Sequence, residues 1–292
     1  MRNTITVMNA KGGVGKSTLV LALADTLSAH HGKRVLVVDS DAHSSVSNML
    51  MPQASLHVVQ AGGRTIVDYL IAKVLQAAPA NWWDFVESGV SDVDGASSID
   101  LLPGGGELTL FEREVSKHKH EVKLRRTVRA LLAEARKDYD CVLIDSAPGL
   151  SVLTECWLRE ADYYMTPTKP DYASIRGLQF LDQFRQQDAH IGFAEPLGVV
   201  IYMKEKDSVV DEQLDRWLRR DSSNLCFRQT ILQAAPLQSA AQLSPHRRSY
   251  RAKYPGRTGK DLRSLADEVL GRLAAGEAGR GAALAQLAAS DA

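Results

Sequence analysis

Ala10-Lys11-Gly12-Gly13-Val14-Gly15-Lys16-Ser17-Thr18 is the stretch on which the fold of this 292-residue chain turns. It follows an apolar strand candidate, Thr4-Ile5-Thr6-Val7-Met8, and runs into a helical pattern that repeats Leu19, Leu23 and Leu27. A strand, a glycine-rich turn and a helix start together form a phosphate cradle. The glycines reach backbone angles closed to other residues, so that N–H groups approach phosphate oxygens. The helix N-terminus adds roughly half a positive charge. In this pattern Gly12 to Thr18 line the nucleotide, Lys16 reaches the β- and γ-phosphates, and Ser17 offers its hydroxyl to Mg²⁺. Spacing by itself specifies no more than a nucleoside triphosphate.

The usual pattern G-x-x-x-x-G-K-[ST] is met except at its first position, where Ala10 stands. A second lysine, Lys11, precedes the two glycines. It lies too close to the turn for an ordinary surface charge and can point across the phosphates toward a neighbouring molecule. This form of the loop resembles the deviant phosphate loop of the ParA/MinD ATPases, nearest to short-form, Soj-like ParA. The resemblance implies ATP, Mg²⁺ and a homodimer closed around nucleotide, with Lys11 contacting the nucleotide of the partner subunit.

Two acids follow the next strand, Arg34-Val35-Leu36-Val37-Val38, whose unbroken apolar run reads as a buried parallel strand. Carboxylates at such a strand's carboxyl end lie where open α/β sheets bind ligands. Asp41 is expected to orient the attacking water and Asp39 to support the Mg²⁺ shell. The resembled family reads D-x-D-P-Q here, whereas this chain has Asp39-Ser40-Asp41-Ala42-His43. A third acid, Asp145, ends the run Asp140-Cys141-Val142-Leu143-Ile144 and is expected in the Mg²⁺ site as well. The turn Ser146-Ala147-Pro148-Gly149 after it resembles the family's D-x-P-P loop.

Composition places the chain among ordinary globular proteins, 45% hydrophobic and 24% charged, with no net charge. Any nucleic-acid affinity must therefore come from a local patch. No apolar run approaches the ~20 residues of a spanning helix, and a strand starting by Thr4 leaves no room for a signal peptide. Three cysteines without a C-x-x-C pair imply reduced thiols and no metal spacing. The chain is expected in the cytoplasm, without a membrane partner, and associated with the nucleoid when ATP is bound.

Further along, Thr65 to Leu70 opens a short helix and Asn81-Trp82-Trp83-Asp84-Phe85 reads as packing aromatics. Ile99 to Leu102 is a strand ending in Pro103-Gly104-Gly105, with helices from there to Lys137. Ala161 to Thr168 and Leu197 to Tyr202 are further strands. The segment from Thr166 to Leu181 resembles the family's P-x-x-P…G-L passage. Strands alternating with helices predict an α/β fold, a doubly wound, mostly parallel sheet flanked by helices. The expected organisation is a single domain over 1–275, ending in a helix from Asp261 to Leu273, then an Ala/Gly-rich tail over 276–292.

Between Arg216 and Arg263 stand eleven Lys/Arg and only two acids. Basic residues interleaved with tyrosine suit phosphate-backbone contacts. The resembled ParA branch holds DNA non-specifically late in the domain, but its I-P-R arginine is absent from Ile231-Leu232-Gln233. On charge alone, Arg247, Arg248, Arg251 and Lys253 are the candidates for DNA. The resemblance implies an ATPase that positions plasmid, chromosome or other large cargo, stimulated by a ParB-like or cargo-adaptor partner. A MinD-like spatial regulator, or a metabolic ATP-dependent enzyme on the same fold, are the alternatives.

Overall fold

The computed structural model describes residues 3–187 and 192–290. Seven strands form one sheet: β1 (Asn3–Val7), β2 (Val35–Ser40), β3 (Ile99–Leu102), β4 (Cys141–Ser146), β5 (Tyr163–Thr168), β6 (Glu195–Lys204) and β7 (Ile231–Leu232). Their spatial order is β3-β2-β4-β1-β5-β6-β7, every pairing parallel. The first helices are α1 (Lys16–His31), α2 (Ser45–Leu50), α3 (Gln53–Ala61) and α4 (Ile66–Leu70). They are followed by α5 (Leu108–Lys117), α6 (Glu121–Asp138), α7 (Val152–Glu160) and α8 (Tyr172–Gln187). The chain ends with α9 (Val209–Arg220), α10 (Ala235–Ala240), α11 (Tyr250–Lys253) and α12 (Gly256–Ser290).

Strand alternation sorts the core into two layers. Val35 and Val37 point to the face covered by α1 and α12, while Leu36 and Val38 point to the face covered by α5, α6 and α7. Each central strand is apolar on both sides because both faces are roofed, as parallel sheets require. Helix α4 starts with a reciprocal cap in which Thr65 and Asp68 satisfy each other's backbone N–H groups. Trp82 is buried, and half-exposed Trp83 stacks on Tyr139 with ring centroids 5.8 Å apart. All three cysteines are free.

Several elements differ from the sequence expectation, α3, α10 and α11 among them. Helix α9 and the two-residue β7 lie where no element was expected, both too short or too polar to stand out by pattern. Helix α12 is longer at each end than Asp261 to Leu273 and continues through the Ala/Gly-rich segment. Alanine is the strongest helix former, and Glu277 is fastened to the sheet by the Asn3 amide at 2.9 Å.

Lys253 requires a correction. It was expected at a DNA surface, but its side chain is fully buried, with Nζ 2.7 Å from Asp25 on α1 and 2.7 Å from Asp92. Tyr254 and Ser91 also donate to Asp25, at 2.7 and 2.6 Å. Arg248 is likewise committed inward, 2.8 Å from Asp92 and 2.9 Å from the Gln242 carbonyl. Burial alone would raise the Asp92 carboxyl, but the Lys253 ammonium, the Ser244 N–H and Arg248 hold it below its usual range. Two buried acids drew in the lysine, because buried charge must be paired. Lys253→Ala should therefore cost about 3–5 kcal/mol, because it leaves buried Asp25 without a cation and Asp92 with Arg248 alone, whereas Arg251→Ala at an exposed position should stay within about 0.5 kcal/mol. Urea unfolding of both variants checks the contrast, and equal midpoints would refute it.

Candidate functional site

The site forms where two central strands part company. β1 leads through α1 to one side of the sheet and β4 leads through α7 to the other, on opposite faces. Between their carboxyl ends opens the crevice in which doubly wound sheets bind ligands. Register decides what meets there: Val7, the last residue of β1, lies beside Asp145, and Asp145 lies beside Asp39. The loop that leaves Val7 thus passes one strand spacing from a carboxylate pair.

Helix α1 begins at Lys16 behind Gly15, whose φ of 87° is left-handed. No side chain caps its first turn and no acid stands in it, so the orphan N–H groups are available to an anion. A Cβ on Gly15 would come 2.5 Å from the Tyr202 ring, so the position admits only glycine. Val14 is buried and pins the loop, while Gly12 and Gly13 are exposed and Ser17 and Thr18 stand half-buried. Lys16 is buried; burial lowers its pKa against the opposing charges of Asp145 and Asp41.

The acids differ in how they are held. Asp39 is fully buried but well supplied, accepting from the Ser47 N–H at 2.8 Å, the Ser47 hydroxyl at 2.6 Å and the Asp41 N–H at 3.2 Å. Burial nevertheless raises its carboxyl to about 6. Gly104 closes over it; a Cβ there would stand 2.9 Å from the Asp39 carboxyl carbon. Asp145 is equally buried, yet neither of its oxygens has a hydrogen-bond partner among the described residues. Burial first, then the charge of Asp39, pushes its carboxyl well above the usual range. The Ser17 hydroxyl and the Lys16 charge ease this only in part; such an under-supplied buried carboxylate beside a second one suits the water shell of a hard divalent cation, and the oxygen donor set fits Mg²⁺. Asp41 is nearly buried, and its Oδ1 accepts from the His43 N–H at 3.0 Å and faces the His43 ring Nδ1 at 2.9 Å.

Lys11 stands apart from this group. Its N–H donates to Asn9 Oδ1 at 2.9 Å, and its Nζ lies 2.7 Å from Asp171, at the start of α8. Asp171 also accepts from the Ser174 N–H at 2.7 Å. Burial alone would raise the Asp171 carboxyl, but Lys11 and Ser174 hold it below its usual range. Sequence reasoning did not assign Asp171 to the site; its signal was an acid placed directly before a helix. A small cavity of about 50 Å³ beside Thr18, lined by Tyr202, Met203, Gln233 and Gln238, also escaped it, having no motif. Of the four cations expected at DNA, Arg247 and Arg251 are exposed, away from the inward-turned Arg248 and Lys253.

The family described as AAA domain matches residues 2–191, more than half of the chain. The chromosome-partitioning ATPase Soj of Thermus thermophilus is 28% identical over 274 residues, 92% of this chain and 96% of Soj. An uncharacterised protein of Methanocaldococcus jannaschii is 29% identical over 178 residues, 61% of this chain and 62% of that relative's length. Among solved structures, pNOB8 ParA bound to nonspecific DNA superposes with a TM-score of 0.68 at 21% identity, covering 94% of this chain and 99% of ParA. Cobyrinic acid a,c-diamide synthase from Mycobacterium smegmatis, with an ATP analogue and magnesium, superposes at 0.67 and 21%, covering 92% and 94%. These two likenesses carry the fold alone. The chain belongs to the AAA-domain family, within the ParA/MinD group of deviant phosphate-loop ATPases, and is similar to Soj-like ParA.

Proposed function

We propose that the protein is a Mg²⁺-dependent, slow ATPase that dimerises around ATP, binds DNA without sequence preference and positions plasmid, chromosome or other large cargo. What carries this proposal is the division between two lysines of one loop. Lys16 is buried among Asp41 and Asp145 and is confined to its own nucleotide. Lys11 stands at the rim on a single half-exposed ion pair to Asp171 that a phosphate can replace. In this account Lys16 and the N–H groups of Gly12 to Thr18 hold the phosphates, and Asp41 aligns the attacking water. Ser17, Asp39 and Asp145 hold the cation, which when bound supplies charge neutralisation on the β- and γ-phosphates. Lys11 turns from Asp171 to the nucleotide of the partner subunit. Stimulation falls to a ParB-like or cargo-adaptor protein, and ATP binding directs the dimer to the nucleoid.

A second reading has one observation in its favour. Tyr172, Phe180, Val209, Val210 and Trp217, large apolar residues of α8 and α9, are exposed. Tyr172 and Trp217 line one open pocket, and apolar surface of this kind favours a protein surface as the target, as in a MinD-like spatial regulator. Among the described residues no helix is long and apolar enough to cross a membrane.

Lys16→Ala should abolish ATP binding. Saturation at a hundred times Kd stabilises the wild type by roughly 2.7 kcal/mol; the variant should show no such gain by thermal shift, and an equal gain would remove the cradle assignment. Asp41→Ala should bind ATP and accumulate as dimer, while Lys11→Ala should bind ATP and remain monomeric. Light scattering with ATP decides this, and the opposite pattern would exchange the two roles. DNA binding should require ATP, since two weak patches on one dimer gain through effective concentration, and should fall steeply between about 50 and 200 mM salt. Arg247→Glu with Arg251→Glu should eliminate it and leave the dimer intact; undiminished binding would assign DNA to another surface.

A further inference from the structure

His43 stands where the resembled motif has glutamine, and its contacts give that departure a consequence. The ring Nδ1 lies 2.9 Å from Asp41 Oδ1, the same oxygen that the His43 N–H reaches at 3.0 Å. A carboxylate oxygen can only accept, so the hydrogen in the ring contact sits on Nδ1. One residue therefore grips Asp41 Oδ1 twice, leaving Oδ2 as the oxygen available to a water molecule. The histidine side chain is otherwise open, 83% exposed against 12% for Asp41. The Asn48 amide of α2 donates to the Ser44 carbonyl at 2.8 Å and reaches His43 at its carbonyl, at 3.5 Å, not at its ring. His57 of α3 lines the same open pocket of about 720 Å³, and Lys16 of α1 faces Asp41 from within the site.

We propose that His43 is the positioning residue for Asp41 and makes hydrolysis respond to pH; this rests on Asp41 being the water-aligning group proposed above. With the ring neutral, Nδ1–H fixes the carboxylate and leaves its negative charge available to the water. When the outward Nε2 takes a proton, the imidazolium draws that charge toward itself, and Asp41 accepts a hydrogen bond from water less well. Hydrolysis is therefore faster with His43 neutral. Glutamine, which can donate but carries no charge, keeps the grip and removes the pH response.

Two measurements test this. In the nucleotide-free protein, ring ¹⁵N shifts should show neutral His43 as the Nδ1–H tautomer, reverting to Nε2–H in Asp41→Ala. In basal ATPase assays the wild-type kcat should rise with pH through the titration of one group. His43→Gln should lack that limb while keeping the high-pH kcat, and His43→Ala should lower kcat about tenfold with KM for ATP unchanged. Superimposable wild-type and His43→Gln profiles, an Nε2–H ring in the wild type, or a KM that moves with kcat would each overturn the inference alone. Binding of ATP without any hydrolysis by the wild type would overturn it together with the proposed function.

Discussion

Asp39 and Asp145 lie side by side on adjacent parallel strands, both fully buried. Bringing two carboxylates out of water at that distance is unfavourable, and the protein meets the cost unevenly. It surrounds Asp39 with Ser47 and Asp41 donors, whereas among the described residues the oxygens of Asp145 have no partner at close hydrogen-bond geometry and feel only the Ser17 hydroxyl and the Lys16 charge. The demand of Asp145 is met only in part by the nearby Lys16. Much of the local architecture serves this arrangement. The glycine at 104 allows close approach to Asp39, the Ser47 hydroxyl links Gly104 to Asp39, and the uncapped start of α1 faces the same crevice.

Charge placement elsewhere follows the same rule of pairing under burial. A chain with equal numbers of acids and bases has no general attraction for nucleic acid. Part of its late basic cluster is spent internally. Lys253 neutralises Asp25 and Asp92, and thereby ties α1, which carries the phosphate loop, to the segment that carries Arg247 and Arg251. Lys204 is similarly used between Glu212 and Asp215, each at 2.6 Å. The cations that remain exposed are fewer than the sequence count suggests.

What the sequence by itself determined is the set of signals that are local in the chain. The phosphate loop, the apolar strands that end in Asp39 and Asp145, and the alternation of strand and helix all depend on neighbours within a few residues. From them the α/β fold and the order of its central elements were legible. The partners of charged groups were not, because the residues that meet are far apart along the chain. Lys253 looked like a surface cation because its local run is basic, yet its acids lie 228 and 161 residues away. The Asp171 partner of Lys11 and the cavity beside Thr18 were hidden for the same reason. Likewise, Ala42-His43 showed only as a departure from a motif. The position of the His43 ring against Asp41, at 2.9 Å, is a property of the folded loop, in which the backbone turns the side chain back onto the acid two residues before it.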